Sequence, residues 1–327
     1  MQWEDRIGRR LKPRDLHVFL AVVETGNMAK AADRLAISRP VVSKTIADLE
    51  HVLGVRLLDR SAKGVEPTLY GRALLRRSLS VFDELKQSVR EIEHLSNPSA
   101  GEIRIGCTET ISAGLVAVAV DQLVRRHPRW VFHMQLANAA VHLELLRSRT
   151  CEVVVGRPEL SDQMQDVDTE RLFYEKLLLV VGPHSKWHGR RKVALSDLVD
   201  EPWIQARLEA EPGGPAFEAF RAARLRLPRA TIFSDSLNLR YNLLETGPFI
   251  TMIPESTWRL GPKRTSLKVL PIDMPRWNQP TSISVLKGRT LSPMTEAFIG
   301  AVRDASRAIT DSGAKHRDEP DRTRRAS

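Results

Sequence analysis

The stretch that most constrains the fold is GNMAKAADRLAISRPVVSKTIADLE, residues 26–50, because two short apolar-periodic segments in it are separated by only Ala36 and Ile37. A first helix with an apolar face precedes this stretch, and Gly26 is expected to end it. Two helices joined by so short a connection must meet at a tight and fixed angle. The sequence therefore predicts a helix-turn-helix over residues 28–47.

The caps and the two faces of these helices can also be predicted. Asn27 is placed to cap the second helix and Ser38 the third, and Pro40 falls in the first turn of the third, where a missing N–H costs nothing. The inward stripe of the third helix is Val42, Ile46, Leu49 and Leu53. Its free face presents Arg39, Ser43 and Lys44. Such groups can contact base edges and phosphates of DNA, whereas a plain three-helix packing unit with solvated charges is the alternative.

A small hairpin is expected after the third helix. Residues 54–68, GVRLLDRSAKGVEPT, contain two short strand-like segments around a turn at Ala62, Lys63 and Gly64. The hairpin carries two basic side chains, those of Arg60 and Lys63. It is therefore interpreted as a wing beside the helix-turn-helix.

A long helix over residues 68–96 follows, with Thr68 placed as its cap. The segment from Thr68 to Leu95 contains no proline, and its 28 residues at about 1.5 Å each give a length of roughly 42 Å. Its apolar stripe is Leu75, Leu79, Phe82, Leu85, Val89 and Ile92. Antiparallel pairing with the same helix of a second subunit would bury the stripe and present two DNA-reading units to palindromic half-sites. A helix folded back on its own domain is the alternative.

Linker composition at residues 96–101 separates this part from a region in which strands and helices alternate. The strands EIRIGC, WVFHMQLA and EVVVGR are separated by two helices, so the order βαβαβ predicts a parallel sheet. A second run of this kind and a return of the chain predict two α/β lobes around a cleft, similar to the type II periplasmic-binding-protein fold. Lobe I is expected at 101–160 and 265–310 and lobe II at 161–264, and the charged tail, 311–327, is expected to be disordered.

Ligands of open α/β sheets bind beyond the carboxyl ends of the strands, near helix N-termini that offer N–H donors. The candidate effector residues at such positions are Thr108, Thr110, Gln205, Arg207 and Ser236. Helix capping is an equal alternative for Ser236 and Thr110. Solvent exposure is the alternative for Arg207 and for Arg157. Glu109 is expected to point outward; pointing inward, it would repel a carboxylate effector and favour a hydroxyl-rich or amine ligand.

Composition narrows the class of protein further. The 327 residues are 42% hydrophobic and 28% charged, which is ordinary for a globular protein. The formal net charge is +10, and residues 1–77 hold 15 Lys and Arg against 9 Asp and Glu. Much of the positive charge therefore lies in the N-terminal part, where it favours binding of a polyanionic partner. Two unclustered cysteines, no signal-peptide pattern and no apolar run of membrane-spanning length favour a cytoplasmic protein without a membrane partner.

A series of residues in order and spacing resembles the N-terminal signature of LysR-type transcriptional regulators. The series is Phe19, Gly26, Ala31, Ala32, Leu35, Ser38, Pro40, Ser43, Ile46, Leu49, Glu50, Leu53, Gly54, Leu57, Leu58, Arg60, Thr68 and Gly71. The resemblance implies an α/β fold class with an all-α winged helix-turn-helix at residues 12–70, a linker and dimerisation helix at 68–96, and a two-lobed effector domain at 101–310. It also implies tetramers built as dimers of dimers.

The resemblance extends to partners and contacts. It implies double-stranded operator DNA, a small-molecule effector and, as a further candidate partner, RNA polymerase. The DNA contacts carry over to Ser38, Arg39, Pro40, Ser43, Lys44, Arg60, Lys63 and Thr68. Arg39 stands where the family often has Gln, which leaves the operator preference open. The stretches GVEPTLYGRALL and PWIQ also resemble the branch that regulates sugar-binding-protein and aromatic-acid catabolic genes, so a sugar or an organic acid is the expected effector class.

Catalysis, a cofactor and a metal are not expected. The sequence contains no Gly-rich phosphate loop, GxSxG, HExxH or CxxC, and its nine histidines are scattered. Cys107 at a strand end could be a nucleophile, but a buried packing cysteine is the expectation. Two other functions remain alternatives: a ligand-independent architectural DNA-binding protein and a cytosolic solute-binding protein.

Overall fold

The computed structural model describes residues 10–61, 64–97, 99–157, 164–274 and 276–315. The chain forms two compact units, Met1–Arg90 and Glu91–Ser327. Among the described residues, no helix combines the length and apolar character needed to cross a membrane.

The first unit contains the predicted three helices, hairpin and long helix. Its elements are α1 Pro13–Thr25, α2 Met28–Leu35, α3 Arg39–Leu53, β1 Leu58–Ser61, β2 Gly64–Pro67 and α4 Leu69–Ser96, which ends beyond the first unit. The three short helices enclose a core formed by side chains from each of them, including Phe19, Ala31, Ala32, Val42, Ile46 and Leu49. The strands of the hairpin are antiparallel.

One left-handed residue makes the short connection between α2 and α3 possible. Ala36 has φ 53°, a left-handed conformation that residues other than glycine rarely adopt. The N–H of Ile37 donates to the carbonyl oxygen of Ala32 at 3.0 Å, and the N–H of Ala36 donates to that of Asp33 at 3.2 Å. The last carbonyls of α2 are thereby satisfied within the turn, so no longer loop is needed.

The two predicted caps have different outcomes. Asn27 caps α2 as predicted, since its Oδ1 accepts hydrogen bonds from the N–H groups of Ala29 at 2.8 Å and Lys30 at 3.2 Å. The predicted cap by Ser38 is wrong, because its side chain makes no capping bond to the described start of α3. A cap would bond the second or third N–H of the helix, and Pro40 at the second position has none.

The apolar stripe of α4 divides into two parts. Leu75 packs on the core of the first unit, and the ring of Phe82 lies 5.7 Å from that of His17. Leu85, Val89 and Ile92 of the stripe are exposed in this single chain, and so are two further apolar side chains of α4, Val81 and Leu95. These five exposed side chains, called here the α4 stripe, are the part of the helix that remains for a partner.

The second unit is built on a nine-stranded sheet of order β4-β3-β5-β11-β6-β9-β7-β8, with β10 paired to β6. Its strands are β3 Ala100–Cys107, β4 Arg129–Leu136, β5 Val153–Gly156, β6 Val167–Val181, β7 Trp203–Gln205, β8 Ala230–Phe233, β9 Ile250–Pro254, β10 Lys268–Val269 and β11 Arg276–Leu286. β3 is parallel to β4 and β5, and β7 is parallel to β8 and β9, as expected for two α/β lobes. The long strand β6 pairs with both β11 and β9 and so joins them.

Helices cover both lobes. In lobe I they are α5 Glu109–Ile111, which continues through a π-helical turn Ser112–Val116 into α6 Ala117–Arg126, then α7 Ala139–Arg147 and α12 Pro293–Lys315. In lobe II they are a 3₁₀ turn Leu195–Leu198, α8 Arg207–Ala210, α9 Pro215–Ala222, α10 Leu237–Thr246 and α11 Glu255–Leu260. The core of lobe I includes Ile103, Leu115 and Phe298, and that of lobe II includes Leu179, Trp203 and Phe220.

The structure shifts two predicted boundaries. The chain returns to lobe I later than residue 265, because Leu267, Leu270 and Met274 still pack in lobe II. The return is made by β11. At the other end, α12 continues to Lys315, past the predicted limit of 310, and residues 316–327 of the predicted tail lie outside the described residues.

Candidate DNA-binding surface and effector site

The candidate DNA-binding surface begins with the free face of α3. Val42 and Ile46 are fully buried and fix the helix in the core, while Arg39, Pro40 and Lys44 are exposed. Ser43 is half-buried, and Ser38 is exposed at the start of the helix. The predicted residues of this helix therefore lie together on a helix whose opposite side is held rigidly, which is the geometry required for reading a groove.

The wing is fixed beside the turn between α1 and α2. The N–H of Val65 donates to the carbonyl oxygen of Gly26 at 2.9 Å. Gly64 has φ 132°, and a Cβ at this position would lie 2.8 Å from the same oxygen, so this close approach needs glycine. Arg60 pairs with Val65 across the hairpin and is exposed. Lys63 lies outside the described residues.

Thr68 connects the wing to α4. Its Oγ1 donates to the carbonyl oxygen of Arg56 at 2.8 Å and accepts from the N–H of Gly71 at 3.1 Å. The capping half of its expected role is therefore present, and its hydroxyl hydrogen is already used inside the unit. Glu50, whose sequence position gave no such indication, accepts at Oε1 from the N–H of Leu57 at 2.7 Å and so ties α3 to the wing.

In the second unit, the loop that follows β3 reaches across to lobe II. Thr108 and Thr110 are joined through their Oγ1 atoms at 3.3 Å. Oε1 of Glu109 accepts from the N–H of Leu237, at the start of α10, at 2.8 Å. The expected outward orientation of Glu109 is therefore wrong: a carboxylate is stabilised by the unsatisfied N–H groups and the positive end of a helix, and α10 offers both.

Hydrogen bonds also bring Gln205 and Ser236 to this region. The N–H of Ser234 donates to the carbonyl oxygen of Gln205 at 2.9 Å, and the N–H of Ser236 donates to Oγ of Ser234 at 3.1 Å. Oγ of Ser236 accepts from the N–H of Leu239 at 3.3 Å, so it also caps α10. The side chain of Gln205 is fully buried, and among the described residues neither its Nε2 nor its Oε1 has a hydrogen-bond partner.

The two arginines near the cleft differ in environment. Arg207 is exposed, with Cζ 5.3 Å from the ring centroid of Phe233. Arg157 is buried, against the solvated alternative, and its Nη2 lies 3.4 Å from Oε2 of Glu175. Burial raises the pKa of Glu175 and lowers that of Arg157, while the attraction between the two charges opposes both shifts.

A second buried ion pair holds the turn that carries Gln205. Nη1 of Arg240 lies 2.9 Å from Oε1 of Glu209, and Oε2 of Glu209 accepts from the N–H of Ala206 at 2.8 Å. Nη2 of Arg240 donates to the carbonyl oxygen of Ser234 at 2.8 Å. Periodicity and motifs do not indicate this pair, because its members lie far apart in the sequence. It positions Gln205 rather than leaving charges free for a ligand.

Both cysteines are buried, which agrees with a packing role. Burial raises the pKa of the Cys107 thiol to about 12 and that of Cys151 to about 11. We expect both thiols to react with iodoacetamide in the folded protein at least about 100-fold more slowly than in the unfolded chain, because so little thiolate is present at neutral pH. Mass spectrometry of timed samples measures this. Fast labelling of Cys107 in the folded protein would contradict the assignment.

Helix-turn-helix units of this kind bind DNA, and two-lobed α/β domains bind small molecules between their lobes. Together the two units define the class of ligand-responsive DNA-binding proteins. Within this class the chain belongs to the LysR family of bacterial regulators. Residues 13–72 match the family described as "Bacterial regulatory helix-turn-helix protein, lysR family", and residues 96–307 match the one described as "LysR substrate binding domain".

Individual relatives agree with the family. The chain is 28% identical over 298 residues to the HTH-type transcriptional regulator GbpR of Azospirillum brasilense, covering 91% of this chain and 87% of that one. Its fold is similar to that of ArgP from Mycobacterium tuberculosis, with a TM-score of 0.68 at 20% identity and coverage of 90% and 97%. Full-length CbnR complexed with its target DNA matches with a TM-score of 0.52 at 22% identity and coverage of 90% and 100%. The chain is thus a transcriptional regulator with a DNA-binding unit and an effector-binding domain.

Proposed function

We propose that the chain binds a palindromic operator as a dimer, assembled further into a tetramer, and that a small molecule held between its lobes changes transcription from that site. In this proposal α3 lies in the major groove. The contacts come from Ser38 and from Arg39, Pro40, Ser43 and Lys44 of α3, from Arg60 and Lys63 of the wing, and from Thr68 at the start of α4. The Thr68 hydroxyl would exchange its bond to the Arg56 carbonyl for one to a phosphate. The excess of basic residues near the N-terminus supports this assignment, because DNA phosphates attract basic side chains whatever the base sequence.

The effector would contact Thr108, Thr110, Gln205 and Ser236, with Arg207 at the exposed edge. The observation that carries this half of the proposal is the amide of Gln205, which is fully buried and has no partner among the described residues. A buried polar group without a hydrogen bond is costly, and the Gln205 backbone is bonded to Ser234 in the loop that leads to α10. The unsatisfied amide at this place supports a role in binding a ligand. A sugar or an organic acid is the proposed effector class, and the inward Glu109 favours the sugar, because its carboxylate would repel the carboxylate of an organic acid.

The protein is proposed to work in the cytoplasm and without catalytic activity. It acts on bacterial DNA, hence in the cytoplasm, and RNA polymerase is its further proposed partner. Catalysis is not part of the proposal, since the similar proteins are regulators. A solute-binding protein would leave the helix-turn-helix without a role.

Gln205→Met tests the effector half with two readouts. It replaces the amide by an apolar side chain of similar length, so the effector-free protein should gain roughly 1–3 kcal/mol of stability. The transcriptional response to the effector should be lost at the same time, because the amide no longer bonds the ligand. Denaturant unfolding and a reporter fused to the target promoter measure the two effects, with a panel of sugars and organic acids as inducers.

Ser78→Ala is the matched control, since the Ser78 hydroxyl of α4 is also buried without a hydrogen-bond partner among the described residues but belongs to the first unit. It should keep the response. A Gln205→Met protein that responds like the wild type would remove Gln205 from the effector site.

A further inference from the structure

A cavity of about 160 Å³ lies beside the bonded loops, between the helical run that starts at Glu109 and the helices α10 and α11. Its wall includes Glu109, Ala113, Asn238, Tyr241, Trp258 and Arg264. The described part of this wall does not include Thr108, Thr110, Gln205 or Ser236. The cavity is therefore lined by other residues than those proposed to hold the effector, although two of its wall residues, Glu109 and Leu237, are their neighbours in the chain.

Glu109 gives the cavity a hydrogen-bond acceptor. One carboxylate oxygen, Oε1, is used by the N–H of Leu237 at 2.8 Å. Within the described part of the chain, Oε2 makes no hydrogen bond or ion pair. A carboxylate oxygen of this kind accepts hydrogen bonds from O–H or N–H groups and repels an anion.

Arg264 gives the cavity donors. Its Cζ lies 3.7 Å from the ring centroid of Tyr241, so the guanidinium is held on the ring. No carboxylate among the described residues pairs with it. The remaining wall contributes the amide of Asn238 and the apolar surfaces of Trp258 and Ala113. One acidic, one basic and one amide group around apolar surface complement a polar molecule of zero net charge.

The wall of the cavity is built by close backbone packing. A Cβ on Gly114, in the π-helical turn, would lie 2.9 Å from Cα of Thr257, and one on Gly261 would lie 2.7 Å from the carbonyl oxygen of Thr257. Oγ1 of Thr257 donates to the carbonyl oxygen of Thr110 at 2.8 Å. π-Helical turns occur often at functional sites, and these contacts hold this one in place before any ligand binds.

We propose that this cavity is a second small-molecule site, for a small polar molecule of zero net charge that donates a hydrogen bond to Glu109. A sugar hydroxyl and the ammonium group of an α-amino acid both supply that donor, and the guanidinium of Arg264 then accommodates the acceptors of either. The volume lies below the roughly 300–1,000 Å³ of sites for drug-sized ligands, so the ligand is small. Because Glu109 also bonds the start of α10, a ligand here acts on the contact that joins the two lobes.

The test is ligand-observed NMR on the full-length protein with three sets of probes at roughly millimolar concentration. The sets are sugars (D-glucose, D-galactose and D-ribose), amino acids (glycine, L-alanine and L-serine) and carboxylates (acetate, succinate and benzoate). We expect binding from the sugars or the amino acids. Ala113→Leu fills the cavity and should abolish it, whereas Ala117→Leu, at an exposed position of the same helical run, should not.

Glu109→Gln separates the two ligand sources. The amide oxygen still accepts a hydrogen bond from a hydroxyl, so a sugar should lose only a few-fold in affinity, whereas an ammonium group should lose about tenfold or more with the charge. Thermal unfolding checks that each variant is folded, and Asn238→Leu, at a second point of the wall, replaces Ala113→Leu if that variant unfolds.

Three results would overturn the inference: no binding from the sugars or the amino acids, binding that survives the cavity variants, or carboxylates as the probes whose binding Ala113→Leu abolishes. If Gln205→Met removes the binding of a probe and Ala113→Leu preserves it, the probe binds at the proposed effector loops. That outcome would overturn the second site and leave the proposed function standing, so the two failures can be told apart.

Discussion

Leu85→Asp in α4 is expected to dissociate the dimer and, with it, to abolish tight operator binding. Leu85 is 50% exposed and Ile92 64% exposed in the single chain, although both belong to the apolar α4 stripe. Burying one leucine in a two-fold interface contributes about 2 kcal/mol per chain, so losing two weakens the dimer by about 4 kcal/mol, or roughly 1,000-fold, before the cost of the buried charges is added. Operator affinity should fall with the dimer, because one DNA-reading unit contacts only one half-site.

Sedimentation velocity gives the mass, and fluorescence anisotropy gives the operator affinity. Lys86→Asp is the matched control, since it places the same carboxylate at the next position of α4, which is exposed and not part of the α4 stripe, and it should leave the dimer intact. Phe82 is a poorer choice for this test than the sequence suggests, because its ring contacts His17 within the first unit. An unchanged mass for Leu85→Asp would show that the α4 stripe is not the dimer interface.

Arg39→Ala is expected to weaken binding to the specific operator by about 1–3 kcal/mol, or roughly 5- to 150-fold, with little effect on random DNA. Arg39 is exposed at the first position of α3, where an arginine can form two hydrogen bonds to a guanine in the major groove. Titrations of both DNAs at one salt concentration measure the difference. An equal loss on both DNAs would mean that Arg39 contacts a phosphate.

Arg60→Ala provides the contrast, because it removes the same charge from the wing. It should weaken binding to all sequences alike and reduce the slope of log affinity against log salt by about one unit, as a phosphate contact does. The same expectation holds for Lys63. An unchanged slope for Arg60→Ala would remove the wing arginine from the interface.

Local sequence patterns predicted much of the fold, because helix faces, caps and strand order depend on residues that are close in the sequence. The apolar spacing of α3 and the caps of α2 are set within a few residues, and Asn27 bonds Ala29 and Lys30 as expected. The alternation of strands and helices likewise predicted parallel strands in both lobes. The connection at Ala36 was predicted to be tight. The left-handed φ that makes it tight could not be predicted, because alanine rarely adopts this conformation.

Orientations at the ends of strands could not be predicted, because their partners are distant in sequence. Glu109 turns inward to bond Leu237, which belongs to the other lobe, and Arg157 is buried by its ion pair with Glu175. The late return of the chain to lobe I has a similar cause: Met274 packs in the core of lobe II, and no local pattern assigns it to either lobe. Side-chain contacts of this kind depend on tertiary packing, which local sequence patterns do not reveal.

The most direct test of the central claim first locates the protein on its own genome. Its affinity for the DNA site found there is then compared with its affinity for a shuffled DNA of the same length, at the same salt concentration. A regulator that reads bases through α3 should prefer its own site by about 1,000-fold or more near physiological ionic strength. Equal affinity for both DNAs, with the same dependence on salt, would contradict the claim and would describe an architectural DNA-binding protein instead.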